Sequence, residues 1–144
     1  MCHGILSIAG SLALAVGLLH AIIAFSPAWC RYFGATERFV ALGPVVVAMV
    51  TLLLAGVFTT WGLYAFSGAG WLQRLPLLPP TLVGIGAVFT ARGLLMFPQL
   101  LTRARVVHWG MPNSRRDIVF SAVSLLIGIA YLVGTIGSWR TLHG

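Results

Sequence analysis

The sequence predicts an all-α integral membrane protein, four transmembrane helices packed in one compact bundle. Three observations carry this expectation. Four apolar stretches, residues 4–25, 39–66, 77–101 and 118–138, each reach the ~20 residues an α-helix needs to cross about 30 Å of hydrocarbon. Charged residues make up 8% of 144 and apolar residues 59%, with mean hydropathy +0.99, whereas an ordinary soluble domain is about 25% charged. Apart from Arg92, the charges stand between or beyond the apolar stretches. A soluble fold of this size has too much surface for its volume to hide so much apolar material. Lipid is therefore the expected solvent for most side chains.

The first stretch is expected to stay as a transmembrane helix rather than act as a cleaved signal. Met1-Cys2-His3 carries no basic side chain, and the apolar run exceeds a signal-peptide core. Pro27 after Ser26, with Gly34 seven residues on, reads as N1 proline, N-cap and C′ glycine of a short helix near 27–33. Its Trp29, Arg31, Tyr32 and Phe33 suit a membrane interface. Thr36 is expected to cap the second span with Glu37 in the first turn, where the helix dipole favours an anion. Pro44 is expected to kink that span near its start. Ser67, Gly68 and Gly70 end it, and Pro79-Pro80 can open the third. Ser114-Arg115-Arg116-Asp117 fits a capping box opening the fourth. With no internal repeat and no soluble segment, residues 1–144 form a single domain.

Helix contacts in lipid favour small residues that let backbones approach. Span one offers Ala9, Ala13, Gly17 and Ala21. Span three offers Gly84, Ala87 and Ala91, and span four Ser124, Gly128, Ala130, Gly134 and Ser138. The same stripes can drive a homo-oligomer or a contact with another membrane protein.

Arginine placement sets the expected orientation. Arg31, Arg38, Arg103, Arg105, Arg115 and Arg116 fall on one side of a four-span chain, and Arg74 and Arg140 on the other. The positive-inside rule then puts the first and third loops in the cytoplasm and both termini outside. Trp29 and Trp109 mark one interface, Trp71 and Trp139 the other, with Trp61 about a turn inside the latter. Nine arginines without a lysine fit a GC-rich bacterial genome, and so a bacterial inner membrane. The net charge of +7 does not point to nucleic acid, which needs a solvated basic face carrying most of the chain. Anionic phospholipid headgroups are the expected partners, met by Arg103, Arg105, Arg115 and Arg116, with His108 and Trp109 between them.

Few residues offer chemistry. His20 projects near the small-residue stripe of span one, and Arg92 lies two-thirds along span three. With Glu37 on the same side they form the candidate intramembrane polar site His20–Arg92–Glu37. Taken singly, His20 reads as a helix-to-helix hydrogen-bonding group. Arg92 reads as a cation that snorkels or holds carbonyls, and Glu37 and Asp117 as first-turn helix residues. No catalytic residue, metal site or cofactor is expected. Haem with two axial histidines needs two embedded imidazoles, and only His20 lies within a span. Cys2 and Cys30 stand at opposite ends of span one, too far apart to pair. His3 and His143 with Cys2 share the outer side, a weak surface-metal pattern. Proton-coupled cation export relies on a carboxylate within a span, and none is present.

The function expected from this pattern is non-enzymatic. The chain reads as an accessory, assembly or protective component that binds a membrane-protein partner or anionic lipid. One alternative is a transporter or channel for an anion or small solute, with Arg92 attracting it and His20 changing charge. A second is a lipid-acting membrane enzyme using His20 or Glu37 as general base.

Overall fold

Inside a bilayer a backbone has no water to bond, and an α-helix satisfies its groups locally. The computed structural model describes residues 2–33, 35–106 and 114–143, and contains helices and no strand among them. In chain order these are α1 (Cys2–Ile23), α2 (Pro27–Tyr32), α3 (Glu37–Val40), α4 (Pro44–Gly68), α5 (Leu78–Leu94), α6 (Met96–Arg103), α7 (Arg115–Gly137) and α8 (Trp139–His143). Four units are long and apolar enough to cross a membrane: α1, α4, α5 continued by α6, and α7.

The helix starts show which local signals decided the boundaries. α7 opens on the expected capping box: Asp117 N–H donates to Ser114 Oγ at 3.2 Å, and Ser114 N–H to the Asp117 carboxylate at 3.0 Å. Pro27 stands at N1 of α2 behind an extended Ser26, which makes no side-chain cap. Gly34, the expected stop, lies outside the described residues, as does the His108-Trp109 part of the third loop. Thr36 does not cap the second span. Its Oγ1 accepts from Phe39 N–H at 3.2 Å and caps α3, a single turn that holds Glu37. The cause is Gly43-Pro44. Gly43 leaves the helical region at φ +98°, and Pro44, which has no N–H to lose, starts α4 instead of kinking it. Span three is not continuous either. α5 ends at Leu94 and α6 begins at Met96, where the ring of Pro98 conflicts with the carbonyl four residues earlier.

Two tight antiparallel pairs build the bundle, α1 with α4 and α5 with α7. α1 against α7 joins the pairs, and α4 meets α5 more slightly. Small residues set the approach. A methyl on Gly10 would sit 3.0 Å from Ala65 Cβ, and one on Gly17 3.1 Å from the Ala55 carbonyl. One on Gly86 would lie 2.8 Å from Leu132, and one on Gly93 would collide with the Leu125 backbone. Ala9 and Ala13 are fully buried, as their spacing predicts. The expected contact stripe of span three is reversed, because Gly84, Ala87 and Ala91 are exposed and a methyl on Gly84 meets nothing. Gly86, Thr90 and Gly93, on the opposite face, make the contact with α7. Periodicity supplied two small-residue faces, and only packing chose between them.

The interior is an aromatic ladder that touches all four spans. His20 of α1 lies 4.9 Å from Phe58 of α4, and Phe58 5.4 Å from Trp61. Phe89 of α5 lies 5.4 Å from Trp61 and 6.0 Å from Tyr131 of α7. Tyr131 is fully buried and donates its hydroxyl to the Trp61 carbonyl at 2.9 Å. Trp61 therefore points inward instead of joining an interfacial belt. Outward, Leu53, Leu126 and Ile136 are each at least 66% exposed, a distribution opposite to that of a soluble core.

The contrast between the two faces of α5 is testable. Gly93→Ala is expected to destabilise the fold by about 1–3 kcal/mol through overpacking, read as a lower melting temperature in mild detergent. Gly84→Ala is expected to leave it unchanged. Equal effects would show that the α5–α7 contact lies elsewhere.

Candidate functional site

The strongest polar feature inside a span links three helices. Arg92 lies in the last turn of α5, beside Gly93 and hence beside Leu125 of α7. Its guanidinium does not bond at that level. Nη1 donates to Ser121 Oγ at 2.7 Å, one turn nearer the start of α7, so the side chain reaches toward that end. Ser121 Oγ in turn donates to Gln99 Oε1 of α6 at 2.9 Å. Ser121 is fully buried and Gln99 is 5% exposed, whereas Arg92 itself is exposed. A hydroxyl has one hydrogen and two lone pairs. Ser121 gives its hydrogen to the amide and turns a lone pair to the cation.

This relay orients Arg92 but leaves its charge uncompensated. Both supporting groups are neutral. The two carboxylates are engaged elsewhere, Glu37 with Arg31 at 3.4 Å and Asp117 in the capping box. An uncompensated arginine near the centre of a spanning helix costs at least ~2.5 kcal/mol to insert. The site thus presents a fixed, unneutralised guanidinium to whatever lies beside α5.

The three residues of the expected constellation are not brought together. His20 Nδ1 lies 2.8 Å from the Val16 carbonyl, which can only accept, so Nδ1 carries the hydrogen. Its ring packs on Phe58 in the ladder. Glu37 belongs to α3 and faces outward, its side chain 81% exposed. No hydrogen bond or ion pair joins His20, Arg92 and Glu37 among the described residues. α1 and α5 lie diagonally across the bundle with the ladder between them, and α3 lies beyond its end.

Because α1 and α5–α6 run one way and α4 and α7 the other, the connections carrying six of nine arginines gather at one end. There α2 is fastened to α7. Arg116 Nη1 donates to the Tyr32 carbonyl at 2.8 Å, its guanidinium lies 4.5 Å over the Tyr32 ring, and Phe33 packs on Phe120 at 5.6 Å. Cys30, on the buried face of α2, donates its thiol to the Ile23 carbonyl at 3.4 Å. Arg103, Arg105 and Arg115 are exposed at the same end. On the α1–α4 face a groove of about 460 Å³ is lined by Leu14, Gly17, Leu18, Ala21, Ala55 and Thr59, and neither His20 nor Arg92 borders it. The side chains of Cys2, His3 and His143, the weak metal pattern, lie outside the described residues.

Sequence reading missed Ser121, Gln99 and Tyr131. One signal was available, since Gln99 is an amide inside an apolar stretch, and polar groups there need partners. Ser121→Ala is expected to strand both Arg92 and Gln99 and cost about 1–3 kcal/mol. Ser124→Ala, which loses only a bond to the Phe120 carbonyl of its own helix, is expected to change melting little. Indistinguishable melting of the two variants would mean the relay holds nothing.

No family model, curated protein or solved structure matches the chain, so what it does rests on its own residues.

Proposed function

We propose that this chain is an integral protein of a bacterial inner membrane that works without catalysis. It acts as an accessory, assembly or protective component, binding anionic phospholipid through its arginine-rich end and a membrane-protein partner or second copy through its uncovered faces. The observation that carries the reading is the charge segregation: Arg31, Arg38, Arg103, Arg105, Arg115 and Arg116 at one end of an antiparallel bundle, with both carboxylates already engaged. Each such arginine near an anionic surface contributes about 1 kcal/mol. The exposed Gly84–Ala87–Ala91 face supports a further helix contact, because small residues there admit another backbone closely. Transport by Arg92 and His20 is less well supported, since it asks for a passage bordered by both, and the groove described is bordered by neither.

Two measurements test the reading. In purified protein, Arg103→Gln, Arg105→Gln and Arg115→Gln combined should weaken phosphatidylglycerol binding at least ~tenfold and flatten its salt dependence. Wild-type protein with no preference for phosphatidylglycerol over phosphatidylcholine would sink the lipid half. For orientation, an alkaline phosphatase fused to the C-terminus is expected to be active, as it is only outside the cytoplasm. An inactive fusion with a fluorescent cytoplasmic reporter in its place would invert the topology.

A further inference from the structure

We propose that Arg92 is the phosphate-binding position of one phospholipid, with Ser121 and Gln99 as its positioning residues. The inference rests on the lipid-binding reading above and assigns it a specific site distinct from the loop arginines. A guanidinium carries five N–H donors in a planar fork, and the protein engages Arg92 at one nitrogen, through the 2.7 Å bond from Nη1 to Ser121. No other hydrogen bond or ion pair reaches it among the described residues, and the residue stays exposed. The groups that hold it are neutral and buried, so they fix direction without cancelling charge. That is the arrangement an anion-binding cation needs. A carboxylate where Ser121 stands would have neutralised it.

Depth and direction choose the anion. Ser121 lies six residues beyond Arg115, roughly 9 Å along α7 at 1.5 Å per residue. The guanidinium is drawn to that level, on the arginine-rich side. A phosphodiester from the adjacent leaflet can reach this depth while its acyl chains stay in hydrocarbon, and two of its oxygens match the guanidinium fork. Arg103, Arg105 and Arg115 at the same end concentrate anionic lipid around the entry. They read headgroup charge, whereas Arg92, deeper, reads the phosphate that every phospholipid carries.

This division of labour gives the test. Lipid binding to the purified full chain is followed by native mass spectrometry and by the rise in melting temperature on adding lipid, using phosphatidylglycerol and phosphatidylcholine in turn. Arg92→Gln is expected to weaken the first bound lipid about tenfold for both headgroups, while the loop-arginine variants weaken phosphatidylglycerol alone. Arg92→Lys, a point charge without the fork, is expected to keep part of the affinity. Ser121→Ala, with Arg92 intact, is expected to shrink the lipid-induced rise itself and not merely lower the starting temperature. These two variants decide the matter if Arg92→Gln does not fold. Wild-type affinity for both lipids in a folded Arg92→Gln would overturn the proposal while leaving the loop-arginine reading intact. Displacement of lipid by millimolar inorganic phosphate would also overturn it, assigning the site to a free anion. So would loss, in Arg92→Gln, of a stoichiometric membrane-protein partner with lipid binding unchanged. If the wild-type chain binds neither lipid, both readings fall.

Discussion

Where Gly93 lies against the backbone of Leu125, α5 and α7 approach so closely that no side chain fits between them. The polar contacts that α7 makes with α5, α6 and α4 follow from that approach. It fixes the register in which Thr90 meets Gly128 and Gly86 meets Leu132. It also brings Ser121 within a bond of Arg92, and seats Phe89 beside Tyr131 so that the tyrosine hydroxyl reaches across to α4. Interhelical hydrogen bonds in lipid average only about 0.6 kcal/mol. On the membrane-spanning reading, close packing therefore carries the assembly, and the hydrogen bonds select one rotation of each helix over its alternatives. The Thr90 hydroxyl, buried in this interface without a partner among the described residues, shows the preference: backbone proximity prevailed over satisfaction of a hydroxyl.

The chain also keeps two electrostatic tasks apart. Carboxylates are scarce, and each is committed to local structure, one to Arg31 across a short loop and one to a helix start. None is left to quench Arg92. Its relay is built from a serine and an amide, which hold a cation in place but return no charge. On the proposed reading, the missing anion is supplied by the surrounding leaflet.

Much of the architecture could be read from residue order. Apolar length gave the four spans to within a few residues, and Ser114 with Asp117 gave the start of α7 because a capping box is a purely local device. Most of what failed was non-local. Gly84, Ala87 and Ala91 have the same spacing as a contact stripe, but helical period says nothing about which face meets a neighbour. One local signal was outweighed by another: Thr36 and Glu37 make a sound cap, yet Gly43-Pro44, three and four residues beyond Val40, restarts the helix. Of the candidate site, Arg92 was found from its cost alone. Its partners were not, because Ser121 comes from α7 and Gln99 from α6, beyond the break at Leu95. His20 lies on a helix diagonally across the bundle and Glu37 on α3 beyond the ladder, since order along the chain does not give adjacency around a bundle.

The pairing of the spans bears on how the protein is made. Each tight pair joins consecutive spans, α1 with α4 and α5–α6 with α7, and the short 69–77 connection between pairs is itself tied to α4 by Ser67 and Tyr64. Chains emerge N-terminus first, and units that close on themselves fold as they appear. The first hairpin can complete its glycine-lined seam before the second leaves the ribosome. The ladder rungs of Phe58 and Trp61 then wait for Phe89 and Tyr131. On the proposed reading, synthesis one hairpin at a time limits the time that Arg92, carried by the second, spends in the bilayer before Ser121 arrives to hold it.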